Sequence, residues 1–247
     1  MINTLKNVDI IYAEDTRISK KLLNHFSINK PLHAYHKFSE KSQLSHIKIH
    51  LAEGKSLALL SDAGTPNLSD PGAISVAELH KEGFPVSPIP GPSALTSLIS
   101  ASGILCNSFY FIGFLPKKEQ EKKVIFNNCP KNSPIIFFET AKRLLKTLTL
   151  FENDLPIKTI CLGKELSKTF ETIIEGNLDH ALEKLSATPI KGEWIVIIEL
   201  DFKQIDNKKE NEIISELKAL DFSSKQIKIL SKLLSIPNNR LKKELLI

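Results

Sequence analysis

One stretch constrains the fold more than any other: residues 57–103, LALLSDAGTPNLSDPGAISVAELHKEGFPVSPIPGPSALTSLISASG. Two short apolar runs each lead into a loop dense in Gly, Pro, Ser and Asp, and each loop leads into a helix. Residues 57–60 carry no charge and suit a buried parallel strand. SDAGTP at 61–66 continues neither a strand nor a helix. Residues 73–81 set Ile74, Ala77 and Leu79 among polar residues at about helical spacing, and Gly83 ends that helix. Residues 86–89 are expected to form the next strand, with Pro85 and Pro88 marking a bulge or an early stop. PGPS at 90–93 opens a second helix. Strand, loop and helix, twice over, put both loops at the carboxyl ends of strands, where open α/β sheets bind ligands.

The same rhythm extends on both sides. Strands are expected at 8–13 and 32–36, and helices at 18–26 and 39–53, the second ended by Gly54. The rhythm pauses at 106–108. Beyond it, strands are expected at 109–114, 134–138, 159–162, 170–175 and 194–200, and helices at 117–128, 141–151 and 177–185. Adjacent strands without intervening helices indicate a mixed α+β unit. Past residue 201 the character changes again. A polar linker at 206–210 precedes three short amphipathic helices at 213–220, 224–234 and 239–246, read either as a helix-turn-helix-like module or as a plain helical cap. The fold class is therefore α/β: an N-terminal α/β domain at 1–106, a second at 107–202 and a helical tail at 203–247.

Composition narrows the function classes. Of 247 residues, 42% are hydrophobic and 25% charged, enough for a sizeable core. No apolar run approaches the roughly 20 residues of a membrane helix, and the N-terminus lacks a signal-peptide layout. Cys106, Cys129 and Cys161 are few and far apart, as expected of reduced thiols in a cytoplasmic protein. The seven histidines do not join them in a metal-binding spacing, so no metal is expected. The net charge of +5 rests partly on lysine-rich runs at 117–123 and 225–243. These are either solvated helix faces or RNA contacts. Aromatics do not interleave with them, so a stacking platform for single strands is not indicated.

Several motifs stand in a telling order: AEDTR at 13–17, SDAGTPNLSDPG from 61, IPGPSA from 89, FIGFLP from 111, FFET followed by AKRLL from 137, GKELSKTFET from 163 and GEWIVII from 192. Together they resemble the tetrapyrrole methylase family of S-adenosylmethionine (SAM)-dependent methyltransferases, over nearly the whole chain. AEDTR, FLP and KTFET are most similar to the family's rRNA branch. The resemblance implies two α/β domains with SAM in the cleft between them, a homodimer, and methyl transfer to the ribose 2′-hydroxyl of a cytidine in small-subunit (16S) rRNA. It implies a cofactor site lined by Asp62, Ala63, Gly64, Thr65, Pro66, Pro90, Gly91, Ser93, Ala94, Leu166, Gly192, Glu193 and Trp194. Asp15, Glu139 and Lys168 are candidates for the chemistry because they follow strands, and Glu14 and Arg17 for contact with RNA. A ribose hydroxyl is a poor nucleophile, so a nearby base or basic environment is expected, but its identity stays open among the strand-end groups Glu14, Asp15, Glu139, Glu165, Lys168 and Glu171. The other readings are a methyltransferase acting on a tetrapyrrole-like small molecule and a non-catalytic RNA-binding remnant.

Two departures accompany the resemblance. Family members begin with a strand and a glycine loop ahead of the helix matched here by residues 5–9. The true start is then expected upstream of Met1, or the chain is a truncated product with an exposed sheet edge and weak SAM binding. Lys164 also stands where the rRNA branch has Arg, keeping the charge but not the bidentate geometry.

Overall fold

The computed structural model describes residues 1–36, 39–130, 132–187, 191–218, 220, 222–234 and 236–245. The first half runs α1 (Ile2–Asn7), β1 (Ile10–Ala13), α2 (Thr16–His25), β2 (Leu32–Ala34), α3 (Glu40–Ala52), β3 (Leu57–Leu60), α4 (Ala73–Lys81) and α5 (Ala94–Ala101). Its sheet is parallel, in the order β2-β1-β3, with Ile11 opposite Leu32 and Ile10 opposite Leu57. The central strand β1 is buried on both faces, which is why its sequence is an unbroken apolar run. Alternation along the strand sends Ile11 into a core with Leu5, Val8, Leu23 and Ile28. It sends Ile10 and Tyr12 into another with Tyr35 and Ile47. β3 is only half-buried, and pairs with β1 alone among the described residues.

The strand expected at 86–89 does not form. Three of the six residues 85–90 are prolines, which offer no N–H to a ladder. The segment lies outside any strand, with Val86 and Ile89 exposed.

The second half runs β4 (Tyr110–Phe114), α6 (Glu119–Asn128), β5 (Ile135–Thr140), α7 (Ala141–Asp154), β6 (Ile157–Lys164), β7 (Thr172–Gly176), α8 (Leu178–Ser186) and β8 (Glu193–Leu200). Its five strands lie in the order β4-β5-β8-β6-β7, with β4 and β5 parallel and every other pair antiparallel. The mixed architecture expected from adjacent strands is therefore present. In the central strand β8, Trp194, Val196 and Ile198 face a core shared with α6, α7 and α8. Phe126, Phe137 and Phe151 pack edge-to-face there, centroids 4.5–5.9 Å apart. Ile195 and Ile197 face the other way, against Leu95 and Leu98 of α5. So the helix that ends the first half packs on the sheet of the second. Gly163 permits this: a Cβ there would lie 2.9 Å from the Leu98 side chain.

The tail holds α9 (Phe202–Leu217), α10 (Ser224–Leu234) and α11 (Asn238–Leu245). They close on a small core of their own, Ile214, Ile227, Ile236 and Leu241. The polar linker expected at 206–210 is instead the middle of α9. Its residues include no Gly or Pro, so polarity alone did not break the helix. Residue 246, the expected end of the last helix, lies outside the described residues.

Candidate active site between the two sheets

Five loops meet where the two sheets face each other. After β1, Asp15 is the N-cap of α2 and its carboxylate accepts from the Arg17 N–H at 2.8 Å. The Asp15 N–H donates to Asp62 Oδ1 at 3.1 Å, which ties this loop to the one after β3. In the latter, Ser61 Oγ donates to the Gly64 carbonyl at 2.9 Å. Gly64 has φ +79°, and a Cβ there would lie 3.4 Å from the Pro92 carbonyl oxygen. A Cβ on Gly91 would lie 3.7 Å from Thr65 Oγ1. The loops 61–66 and 90–94 are thus pressed together, and glycine is what lets them approach. Ser93, the N-cap of α5, makes no side-chain capping bond, so the first N–H groups of α5 are left for another acceptor.

The second half contributes the turns at 165–168 and 192–193. Glu165 and Ser167 have φ of 50° and 63°, and Asn67 and Ser69 across the cleft have 78° and 72°. Left-handed backbone in non-glycine residues is costly and gathers at functional sites. A Cβ on Gly192 would lie 3.6 Å from Glu165 Oε1, and one on Gly113 of β4 would lie 3.4 Å from Ser69 Oγ. The second contact brings the FIGFLP segment against the SDPG loop.

Asp70 sits at this junction, half-buried. Its carboxyl is pushed up to about 6, first by burial and then by the charges of Glu14, Asp62 and Glu193. Those three carboxylates come from three loops and both halves of the chain, so Asp70 records their convergence. Asp15 lies at the opposite extreme. Hydrogen bonds from Arg17 hold it at about 2, with the guanidinium 2.6 Å away.

The expected chemical candidates therefore separate. Asp15 is occupied as a helix cap and an ion-pair partner. Lys168 is exposed at the cleft and paired with Glu165 at 3.2 Å. Glu139, expected at a strand-end loop, is the fifth residue of β5 and has no exposed surface. Its oxygens are taken by Lys122 at 3.1 Å, Thr147 at 2.9 Å, Arg143 at 2.6 Å and the Thr140 N–H at 2.8 Å. No face of it is free for a substrate. Trp194, expected on the cofactor wall, has its ring fully buried in the second core, with Lys164 Nζ 5.5 Å over it. Its neighbours Gly192 and Glu193 stay at the cleft, because alternation along β8 turns Trp194 inward. Glu14 and Leu166 are half-buried at strand ends, and Arg17 is exposed.

Two features escaped the sequence reading. Asp70 stands in the SDPG part of the motif with nothing in its residue type to single it out; burial first, and then its acidic neighbours, raise its affinity for a proton. The other is a buried network behind the loop. Glu40, 5% exposed, opens α3 and reaches the N-terminus of α4. Its Oε1 accepts from the N–H groups of Gly72, Ile74 and Ser75 at 3.0–3.3 Å, and from the Tyr35 hydroxyl at 3.0 Å. Gly72 has no side chain to cap α4, so a distant carboxylate does it. Replacing Glu40 with Ala strands these donors, which should cost about 1–3 kcal/mol. Thermal unfolding is expected to show that loss, and hydrogen exchange should show faster opening at Gly72–Ser75.

The family model described as Tetrapyrrole (Corrin/Porphyrin) Methylases matches residues 1–182. The chain is 40% identical over 206 residues to the Ribosomal RNA small subunit methyltransferase I of Halalkalibacterium halodurans, covering 83% of this chain and 71% of that protein. It is 41% identical over 220 residues to the protein of the same name from Mesomycoplasma conjunctivae, covering 88% and 91%. Among solved structures, a diphthine synthase superposes with TM-score 0.58 at 15% identity, over 85% of this chain and 87% of the other. A uroporphyrin-III C-methyltransferase from Thermus thermophilus, complexed with S-adenosylhomocysteine, gives 0.51 at 16%, over 80% and 88%.

Proposed function

Because this chain belongs to the tetrapyrrole (corrin/porphyrin) methylase family and is a methyltransferase, we propose that it moves a methyl group from SAM to the ribose 2′-hydroxyl of a cytidine in small-subunit rRNA. The observation that carries the reading is the convergence of five loops from both halves on one acidic cleft, in a chain about 40% identical to two small-subunit rRNA methyltransferases.

The residues present fit this cofactor. The first N–H groups of α5, which the Ser93 side chain leaves uncapped, suit its carboxylate. Glycine approach at Gly64 and Gly91, with Ala63, Thr65, Pro66 and Pro90 beside them, makes a narrow wall for a flat nucleoside. Leu166, Gly192 and Glu193 face that wall from the second half. Asp62, Glu193 and the ionised form of Asp70 favour the two positive charges, ammonium and sulfonium. When bound, SAM supplies an electrophilic methyl carbon on a positively charged sulfur.

The chain's own work is to orient the ribose, exclude water and take a proton. Holding a hydroxyl in line with its target supplies much of the acceleration. Asp70, its carboxyl pushed up to about 6, has an affinity suited to accepting the hydroxyl proton near neutral pH. Arg17 offers an exposed guanidinium to a backbone phosphate. Lys168, at the opposite rim, favours the developing oxyanion or a second phosphate. We also infer a cytoplasmic homodimer. Leu105 at 82% exposure, with Phe109 just before β4 and Tyr110 at its start, leaves exposed apolar surface suited to a second copy. No helix among the described residues is long and apolar enough to cross a membrane.

The test is methyl-labelled SAM with small ribosomal subunits lacking the modification. Label should enter the rRNA and be recovered as a 2′-O-methylcytidine. Label found only in a porphyrinoid, or on a base carbon, would overturn the reading.

A further inference from the structure

Beside the cleft runs a groove of about 510 Å³ between α2, β2 and the turn joining them. Its size suits a small ligand or a short segment of polymer. Three cations line it, Arg17, Lys20 and Lys30, with the amides of Asn24 and Asn29, and no carboxylate does. The floor is apolar, from Ile28 and Leu32. Lys20 is exposed and makes no ion pair among the described residues. The carboxylate that feels Lys30, Asp9, is held by the Ser56 N–H and hydroxyl at 2.7 and 2.8 Å. Arg17 spends Nε and Nη2 on Asp15 and leaves Nη1 open among the described residues. Arg17 also lies within electrostatic reach of Asp62. The groove therefore begins beside the acidic cleft and leads away from it along a basic wall.

We propose that this groove holds the phosphodiester backbone of the RNA next to the nucleotide being modified, with Lys20 and Lys30 on successive phosphates and Asn24 and Asn29 on ribose or base edges. The inference rests on the rRNA reading above and extends its site. Physically, the acidic cleft repels phosphate while it attracts a cationic cofactor. A polyanion can present one ribose to such a cleft only if the neighbouring phosphates are held elsewhere. A cationic groove without acids, opening at the cleft mouth, does this. Such contacts fix register rather than sequence, and each should add to the salt dependence of binding.

The test compares the wild type with the double variants K20A/K30A and K20R/K30R. Initial rates on small subunits are measured across salt concentrations, beside direct binding of a labelled rRNA fragment. The alanine pair should raise KM for subunits about tenfold or more and flatten the log–log salt slope by about two. KM for SAM and the thermal midpoint should stay near wild type, and the arginine pair should restore the slope. If wild type methylates subunits and the alanine pair matches it in KM and salt slope, the groove is overturned and the rRNA reading stands. If wild type transfers no methyl group but binds the fragment more tightly than the alanine pair, the groove stands and the rRNA reading falls. If there is neither transfer nor a difference in binding, both fall.

Discussion

Asp70→Asn is expected to lower kcat for methyl transfer by about 10²–10⁴-fold, the usual scale for loss of a positioned base, while leaving SAM binding within a few-fold. The wild-type rate should rise with pH through about 6, where Asp70 ionises, and the residual rate of the variant should lack that rise. Stability gives an independent check, because its sign is opposite to that of activity. The folded-state affinity of Asp70 for a proton lies above its unfolded value. The protonated form is therefore the one the fold favours, and stability is lost as pH rises from about 4 through about 6. Neutral Asn removes the repulsion from Glu14, Asp62 and Glu193. D70N should therefore unfold no earlier than wild type at pH 7.5. A variant that is destabilised there, or keeps full activity, counts against Asp70 as the proton acceptor.

The second large effect concerns stability. Glu139→Ala removes the carboxylate that faces Lys122, whose side chain is 5% exposed. The ammonium is left buried and uncompensated, which costs about 3–5 kcal/mol. Denaturant unfolding should show a lower midpoint at an unchanged slope. The double variant K122M/E139M should recover much of the loss, because a buried pair replaced by apolar groups of similar size is often neutral. Equal instability of the single and double variants would remove the ion pair as the cause. The Arg143 guanidinium also donates to the Leu115 carbonyl at 3.1 Å, so Glu139→Ala should loosen the turn that follows β4 as well.

The site loops were legible because their chemistry is local. A Gly-Pro-Asp-Ser loop after an apolar run is a strand-end turn whatever surrounds it, and 61–66 folds accordingly after β3, while 90–94 keeps its place as the entry to α5 without a strand before it. β8 was legible because a central strand must be apolar on both faces. The segment 86–89 was misread because a strand exists only with a partner, and composition does not reveal one. The carboxylates could not be ranked for the same reason. Glu139 ends an apolar run and Asp70 sits in a polar loop, yet it is Glu139 that is sealed among Lys122, Arg143 and Thr147 and Asp70 that opens on three like charges. Burial and neighbours, not residue type, separate them. Trp194 sits between two cleft residues in the motif, and the pleat alone turns it into the core.

The Glu40 network bears on the order in which the molecule becomes competent. Glu40 and Gly72 lie 32 residues apart, so the loop carrying Asp70 cannot take its final shape until α3 has docked beside α4. Closing that span comes after local helices have formed, because non-local contacts are slower to make. In the reverse direction, undocking of α3 exposes few apolar contacts, so it belongs among the cheaper sub-global openings. The acceptor site should then be lost at a denaturant concentration where circular dichroism still reads a nearly intact protein.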